Sequence, residues 1–376
     1  MKHRLVHLDC LRGVAGLLVV MSHLRAFLFV PFAQLKSPGL LVKVFFLVTG
    51  FGHQAVMIFF VLSGYLVGGS VISSLQSEKW AWKEYLLRRM SRLWVVLIPA
   101  LLLTLFWDKL GHAYAPCGYE GVYRGMYNSG PTPSSPEDLS SISFFGNAFF
   151  LQTILVPCFG TNGPLWSLAN EFWYYVLFPF LITIFISRKW KARALSITIA
   201  TAIVVFLPKS ILMAGLIWLL GALSYCLIQN QSVVKITKHP LWLILGIFLT
   251  LGSLLLSRGE FPGELSDLFI GIGCAVLVTG LVVKNTHSHL YRCISVRLAD
   301  MSYTLYLGHF PLLAFLFFVF FKGWQMVPNL ASAFAFSGLF ILILAYAFVM
   351  WWLFERNTDC VRRFILLRLI STKCTT

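Results

Sequence analysis

An arginine and a histidine eleven residues apart, Arg12 and His23, interrupt an otherwise apolar stretch near the N-terminus. Each helical residue turns ~100°, so eleven of them return to within about 20° of the starting direction, ~16 Å further along the axis. The two side chains therefore share one helix face. A guanidinium holds anions, and an imidazole takes up and returns a proton near neutral pH. Asp9 lies one turn before Arg12 and can pair with it. The plain alternative is that His23 hydrogen-bonds a neighbouring helix, as polar residues in membrane bundles do.

Other ionisable or small polar residues stand in or beside apolar runs. Such groups cost ~2.5–3.5 kcal/mol each on insertion scales, so each raises a question of function. Ser63-Gly64 falls mid-run in Phe59–Tyr65; small residues there also serve close helix packing. Arg88, Arg89 and Arg92 stand at the head of a third run. Arg89 and Arg92 are one turn apart and suit phosphate, although basic flanks are also a plain topology signal. Trp166-Ser167-Leu168 opens a fourth run with Glu171, a carboxylate able to orient an imidazole and raise its basicity. Tyr303 and His309 lie in a late run just before Pro311, where a packing histidine beside a kink is the alternative. His53, with Gln54, begins the second run on the side opposite the basic loops and could contact a substrate.

The elements that must position these residues are membrane helices. Apolar residues make up 58% of the 376 and charged residues 12%, far below a soluble domain's share; mean hydropathy is +0.80. Ten runs of the length that crosses ~30 Å of hydrocarbon stand out: roughly 8–30, 53–75, 93–112, 165–187, 194–208, 210–229, 239–257, 265–284, 299–321 and 328–354. The fifth is the shortest, and a stretch at 40–50 reads as interfacial or re-entrant. The fold class is all-α integral membrane, with 1–376 as a single membrane-embedded domain. Loops 76–92, 188–193, 230–238 and 285–298 and both termini are rich in Lys and Arg, which puts them, and the termini, in the cytoplasm. Asp9, Arg12 and His23 interrupt the first run and no small-residue cleavage site closes it, so it reads as a retained helix and not a signal peptide.

The net charge of +16 sits in these short segments, which points to membrane lipids with anionic headgroups and away from nucleic acid. The one long polar segment, 113–164, predicts a Pro/Ser/Gly-rich, turn-forming start at 130–136 and then a short interfacial helix within 144–156. It also holds Cys117 and Cys158, which could pair in an oxidising compartment. The remaining six cysteines show no metal spacing, and no metal is expected.

Taken together these residues resemble the acyltransferase-3 family, integral membrane enzymes that O-acylate sugars and other exported molecules. Leu8-Asp9-Cys10-Leu11-Arg12-Gly13-Val14-Ala15 through His23 looks like its opening motif. Phe60-Val61-Leu62-Ser63-Gly64 looks like its second-helix motif, and Arg89-Met90-Ser91-Arg92 like its Arg-x-x-Arg. Trp166-Ser167-Leu168 with Glu171 and Pro179 resembles its Trp-Ser-Leu-x-x-Glu segment. Ser302-Tyr303 with Tyr306 and His309-Phe310-Pro311 resembles its late His-x-Pro motif. The matches run in family order over nearly the whole chain. Two positions depart: Cys10 stands where the family usually has Gly, and Phe172 where a second acid is frequent. The soluble hydrolase-like domain that some members carry is not in this sequence.

The resemblance implies a multi-pass protein of the bacterial plasma (inner) membrane that uses an acyl-CoA, by family habit acetyl-CoA. Its acceptor would be a hydroxyl of an exported or cell-surface glycan such as a lipid-linked sugar, polysaccharide or lipopolysaccharide. It implies His23 and Arg12 as the central pair, with Arg88, Arg89 and Arg92 at the CoA. Glu171 would orient His23, which acts as general base or nucleophile. A transporter or flippase also buries ionisable groups, but such proteins often show paired repeats and none is visible here. An acyl translocator without its own acceptor is a mixed alternative. A scaffold would leave the buried charges unexplained.

Overall fold

Every one of the ten apolar runs is helical in the computed structural model, which describes residues 4–77, 79–119, 138–259, 263–286 and 288–371. The first is α1 (Val6–Leu28). A short helix, α2 (Leu40–Val48), occupies the stretch expected at the interface. The second run is α3 (Gly52–Ser63), a π-turn (Gly64–Gly68) and α4 (Gly69–Gln76). The third is α5 (Trp82–Tyr114). The polar segment carries α6 (Pro116–Tyr119) and α7 (Ser141–Ala148). Then come α8 (Trp166–Ile186), α9 (Trp190–Phe206), α10 (Lys209–Leu227), α11 (Gln231–Lys238), α12 (Pro240–Leu256), α13 (Gly263–Val282), α14 (His289–Phe320), α15 (Leu330–Leu353) and α16 (Thr358–Ser371). Among the described residues only isolated bridges represent β-structure. The protein is an all-α, multi-pass membrane protein.

Three boundaries differ from the sequence expectation. Eight helices have the length and apolarity to cross a bilayer, or nine if α11 and α12, bent by 78°, count as one span. The runs that fall short are α9 and, taken without α11, α12: each has 17 residues and reaches only ~25 Å. The basic segments expected as loops are largely helical: 82–92 is the start of α5, and 289–298 the start of α14. Lys and Arg are good helix formers, so a span continues beyond the bilayer into its charged flank. The interfacial helix of the polar segment begins a turn earlier than expected, capped by the Ser140 hydroxyl, and exposes Ile142 and Phe145. The predicted turns at 130–136 lie outside the described residues.

The helices group into two units, each built from three chain segments: the chain up to Ala15 with His53–Trp80 and Ser167–Ala299, and Gly16–Gly52 with Ala81–Trp166 and Asp300 onward. In the first unit, the π-turn crosses α10 backbone to backbone. A Cβ on Gly64 would fall 1.9 Å from the Trp218 carbonyl oxygen, and one on Gly221 2.0 Å from that of Val61. Lipid tails are as apolar as the helices, so such close packing and polar bonds supply the association energy in place of hydrophobic burial. In the second unit, Val20, Leu24 and Phe27 of α1 pack with Leu305, Phe310 and Leu313 of α14, and with Ile343 and Ala347 of α15. That seam fixes α1 beside α14.

Candidate active site

The seam between α1 and α14 brings two imidazoles together. His23 Nδ1 lies 2.8 Å from His309 Nε2, and the rings stack at 5.0 Å with 13° between their planes. Phe310 stands edge-on to His23. His309 is fully buried, and its Nδ1 is 2.9 Å from the carbonyls of both Leu305 and Tyr306. Carbonyls only accept, so Nδ1 of His309 carries its proton. In a neutral ring Nε2 is then a lone pair. The His23 nitrogen facing it must therefore be N–H, a proton assignment that follows from the network. The consequence is specific: His23 Nε2 bears the free lone pair, and no side chain or carbonyl among the described residues bonds to it.

The segment before α8 braces this pair. Asp108 of α5, fully buried, accepts the Thr161 amide at 2.8 Å and its hydroxyl at 2.7 Å. Gly160 turns there with φ +56°, and a Cβ at that position would fall 2.2 Å from Asp108 Oδ2. Asn162 donates to the carbonyl of Leu307, two residues before His309, at 2.9 Å and to Thr104 Oγ1 at 3.1 Å. Tyr306 donates its hydroxyl to the Pro164 carbonyl at 2.9 Å. Neither Asp108 nor Thr161 was singled out from the sequence: an ionisable residue inside the third run could have flagged Asp108, whereas nothing local marks a loop threonine.

In the other unit a carboxylate gathers hydroxyls. Glu171 Oε1 accepts Ser63 Oγ at 2.6 Å and the Tyr175 hydroxyl. Trp218 Nε1 donates to Ser63 Oγ at 3.1 Å. Oε2 of Glu171 takes no bond from a described residue. The close π-turn–α10 crossing carries Trp218 to Ser63, and π-turns interrupting helices recur at functional sites. The sequence pointed to Ser63 and Glu171 but not to Tyr175 or Trp218. Tyr175 follows Glu171 by one helical turn, a spacing that could have flagged it.

Arg12 donates to Asp9 Oδ1 at 2.9 Å, and Arg4 approaches the other carboxylate oxygen at 3.4 Å. In α5, Arg88 pairs with Glu84, the Arg89 guanidinium lies over the Tyr85 ring at 5.8 Å, and Arg92 is exposed without an ion pair among the described residues.

A family model described as an acyltransferase domain, acyltransferase-3, matches residues 5–353. The chain belongs to this family. No curated protein and no solved structure matches it. As a membrane acyltransferase it requires an acyl donor and an acceptor.

The remaining predicted residues of the acyltransferase fall into place unevenly. Glu171 was expected to orient His23; the ring-nitrogen partner of His23 is instead His309, and Glu171 bonds Ser63 and Tyr175. Tyr303 donates to the Leu93 carbonyl at 3.3 Å. Trp166 is half-buried and Ser167 buried at the start of α8. His53 is half-exposed and faces Asp267, its Nε2 at 2.9 and 3.0 Å from the two carboxylate oxygens, a partner missed because it lies 214 residues away. Cys117 and Cys158 are both free thiols. Cys158 donates to the Gly163 carbonyl, and burial pushes its thiol up to about 12. Among the described residues no three His, Cys, Asp or Glu side chains group as metal ligands would.

Proposed function

We propose that this membrane acyltransferase moves an acyl group, by preference acetyl, from cytoplasmic acyl-CoA to a hydroxyl of an exported or cell-surface glycan at the bacterial plasma membrane. The observation that carries the reading is the forced tautomer of the histidine pair. A lone pair on His23 Nε2 is what either route of acyl transfer requires.

As a general base, Nε2 takes the proton of the acceptor hydroxyl while its oxygen attacks the thioester carbonyl. The C–S bond breaks, and the proton passes from Nε2 to the departing thiolate. As a nucleophile, Nε2 itself attacks the carbonyl and CoA leaves as the thiolate; the acceptor hydroxyl then attacks the acyl-imidazolium and displaces the imidazole, its proton passing to the thiolate. Both routes place positive charge on the His23 ring. His309 Nε2 accepts from the N–H of that ring, so it stabilises the charge as it forms. The carbonyls of Leu305 and Tyr306 support His309 in the same sense.

Arg89 and Arg92 supply cations for the donor's phosphates, and Arg88 joins them if it exchanges Glu84 for the donor; Arg12 keeps its pairing with Asp9. Glu171, with Ser63 and Tyr175 on one oxygen and the other open, suits a hydroxyl donor of a substrate.

The test is acceptor-dependent CoA release by the purified protein in nanodiscs, with acetyl-CoA and candidate glycan lipids. Release that requires the acceptor supports the reading; transport of a lipid-linked sugar with no CoA released overturns it. Labelled donor without acceptor separates the two routes, since only the nucleophile leaves label on the protein. Comparing glycan hydroxyl acylation in cells with and without the protein, by NMR, then identifies the acceptor.

A further inference from the structure

Helices α11 and α12 meet at a bend of 78° with a single residue between them. That residue, His239, is extended (φ −65°, ψ 137°), and its ring accepts the Leu241 amide at Nδ1, 3.3 Å away. Pro240 follows at the first helical position, where its missing N–H costs nothing. A helix leaving a span at nearly a right angle lies close to the membrane plane. The composition of α11 suits that position, with Lys235 and Lys238 among Val233, Val234 and Ile236. Lys284 adds another cation by donating Nζ to the Lys238 carbonyl at 2.8 Å.

The inside of the elbow is a groove of about 480 Å³ lined by Lys235, Ile236, His239, Leu241, Trp242 and Leu245. Its apolar wall is open, with Ile236 55%, Leu241 65% and Leu245 42% exposed. The Trp242 ring is held by its Nε1 donating to Thr279 Oγ1 at 3.0 Å. Because His239 Nδ1 accepts a backbone N–H, the neutral ring carries its proton on Nε2, so the exposed nitrogen is a donor. No Asp or Glu occurs anywhere in residues 228–256. The rim is therefore cationic with no counter-ion of its own from this segment, above an apolar wall and one anchored tryptophan.

We propose that this elbow binds an anionic phospholipid of the surrounding bilayer. The phosphodiester sits between the Lys235 ammonium and His239 Nε2–H, Trp242 lies at the glycerol level, and an acyl chain runs along Leu241 and Leu245. Charge complementarity selects the occupant: a zwitterionic lipid brings its own cation to a groove lined by Lys235, with Lys238 and Lys284 beside it. An interfacial tryptophan beside basic residues is the arrangement that headgroup depth favours. The site is independent of the acyl-transfer reading, and none of its residues belongs to the histidine pair or the Glu171 network.

The experiment uses the full chain in nanodiscs with a photoactivatable phosphatidylglycerol whose reactive group lies near the glycerol, and maps the adduct by peptide mass spectrometry. Label is expected to concentrate on residues 235–245 and to be displaced by unlabelled phosphatidylglycerol but not by phosphatidylcholine. Each lysine near an anionic headgroup is worth about fivefold in affinity. Lys235→Gln should therefore weaken displacement by about that factor, and Lys235→Arg should retain it. Label spread evenly over the lipid-facing helices, or equal displacement by phosphatidylcholine, overturns the proposal. So does displacement by acetyl-CoA or by inorganic phosphate, which would make the groove a donor or free-anion site. If Lys235→Gln fails to insert, the wild-type competition decides alone.

Discussion

The histidine pair and the Glu171 network both bury polar groups among apolar helices, yet they end in opposite states. In the pair, every proton is assigned by the next acceptor: two carbonyls hold His309 Nδ1–H, and His309 Nε2 holds His23 Nδ1–H. The chain of bonds runs one way and ends on a bare lone pair. In the network, hydroxyl donors converge on Glu171 Oε1, and Ser63 also receives the Trp218 N–H. Ser63 is thereby used as both donor and acceptor, which leaves it poorly placed as a nucleophile. On the proposed reading the first region exchanges a proton or an acyl group, and the second holds a carboxylate in one orientation. Buried polarity alone does not mark reactivity; the direction of the hydrogen bonds does.

The strongest way to break this comparison is His23→Ala. General base catalysis contributes about 10²–10⁴-fold, so acyl transfer should fall by at least that much while the protein still inserts and elutes as the native form. Full activity in a folded variant would remove the pair from the chemistry.

His309 sharpens the point. The His309→Ala variant frees His23 to adopt either tautomer and removes a bond to a ring that becomes charged. Such bonds are worth ~1.5–3 kcal/mol, about ten- to hundredfold in rate. His309→Gln, whose amide oxygen can stand near the position of Nε2, should recover part of kcat, with donor KM unchanged in both. Equal rates for the two variants would reduce His309 to packing.

A smaller effect is expected at Glu171. Glu171→Gln keeps an oxygen for Ser63 and Tyr175, and so should cost about tenfold or less, chiefly in KM for a substrate whose hydroxyl it binds. A loss in kcat as large as that of His23→Ala would make the carboxylate a second chemical centre and dissolve the contrast.

The smallest effect concerns a group outside both regions. With its thiol pushed up to about 12 by burial, Cys158 remains protonated at pH 8, and the thiolate is the reactive form. Exposed Cys117 should therefore take a maleimide first, with Cys158 labelled only as pH rises or the fold opens. Equal labelling at pH 8 would show that the 158–163 turn is not packed as described.

Much of this arrangement was readable in the amino-acid order. Helices α1, α5, α8 and α14 are announced by runs whose hydropathy is a local property. Arg12 and His23 share a face because helical period is local as well. Ionisable residues in apolar runs, His23, Glu171 and His309 among them, announce themselves through their insertion cost. The partners were not readable. His309 is 286 residues from His23, and both Glu171 and His309 were chemically suited to the same task. Which of them meets His23 depends on the packing of α1 against α14 through Leu24, Phe27, Phe310 and Leu313. No sequence period encodes that choice, because in a bilayer helix pairing is decided by side-chain shape and polar bonds, with no gradient of hydrophobicity to direct it. The sequence by itself determined a bundle of membrane helices carrying an arginine, histidines and carboxylates at set depths. Tertiary structure alone decided that one imidazole fixes the tautomer of another, and that the lone pair left over belongs to His23 Nε2.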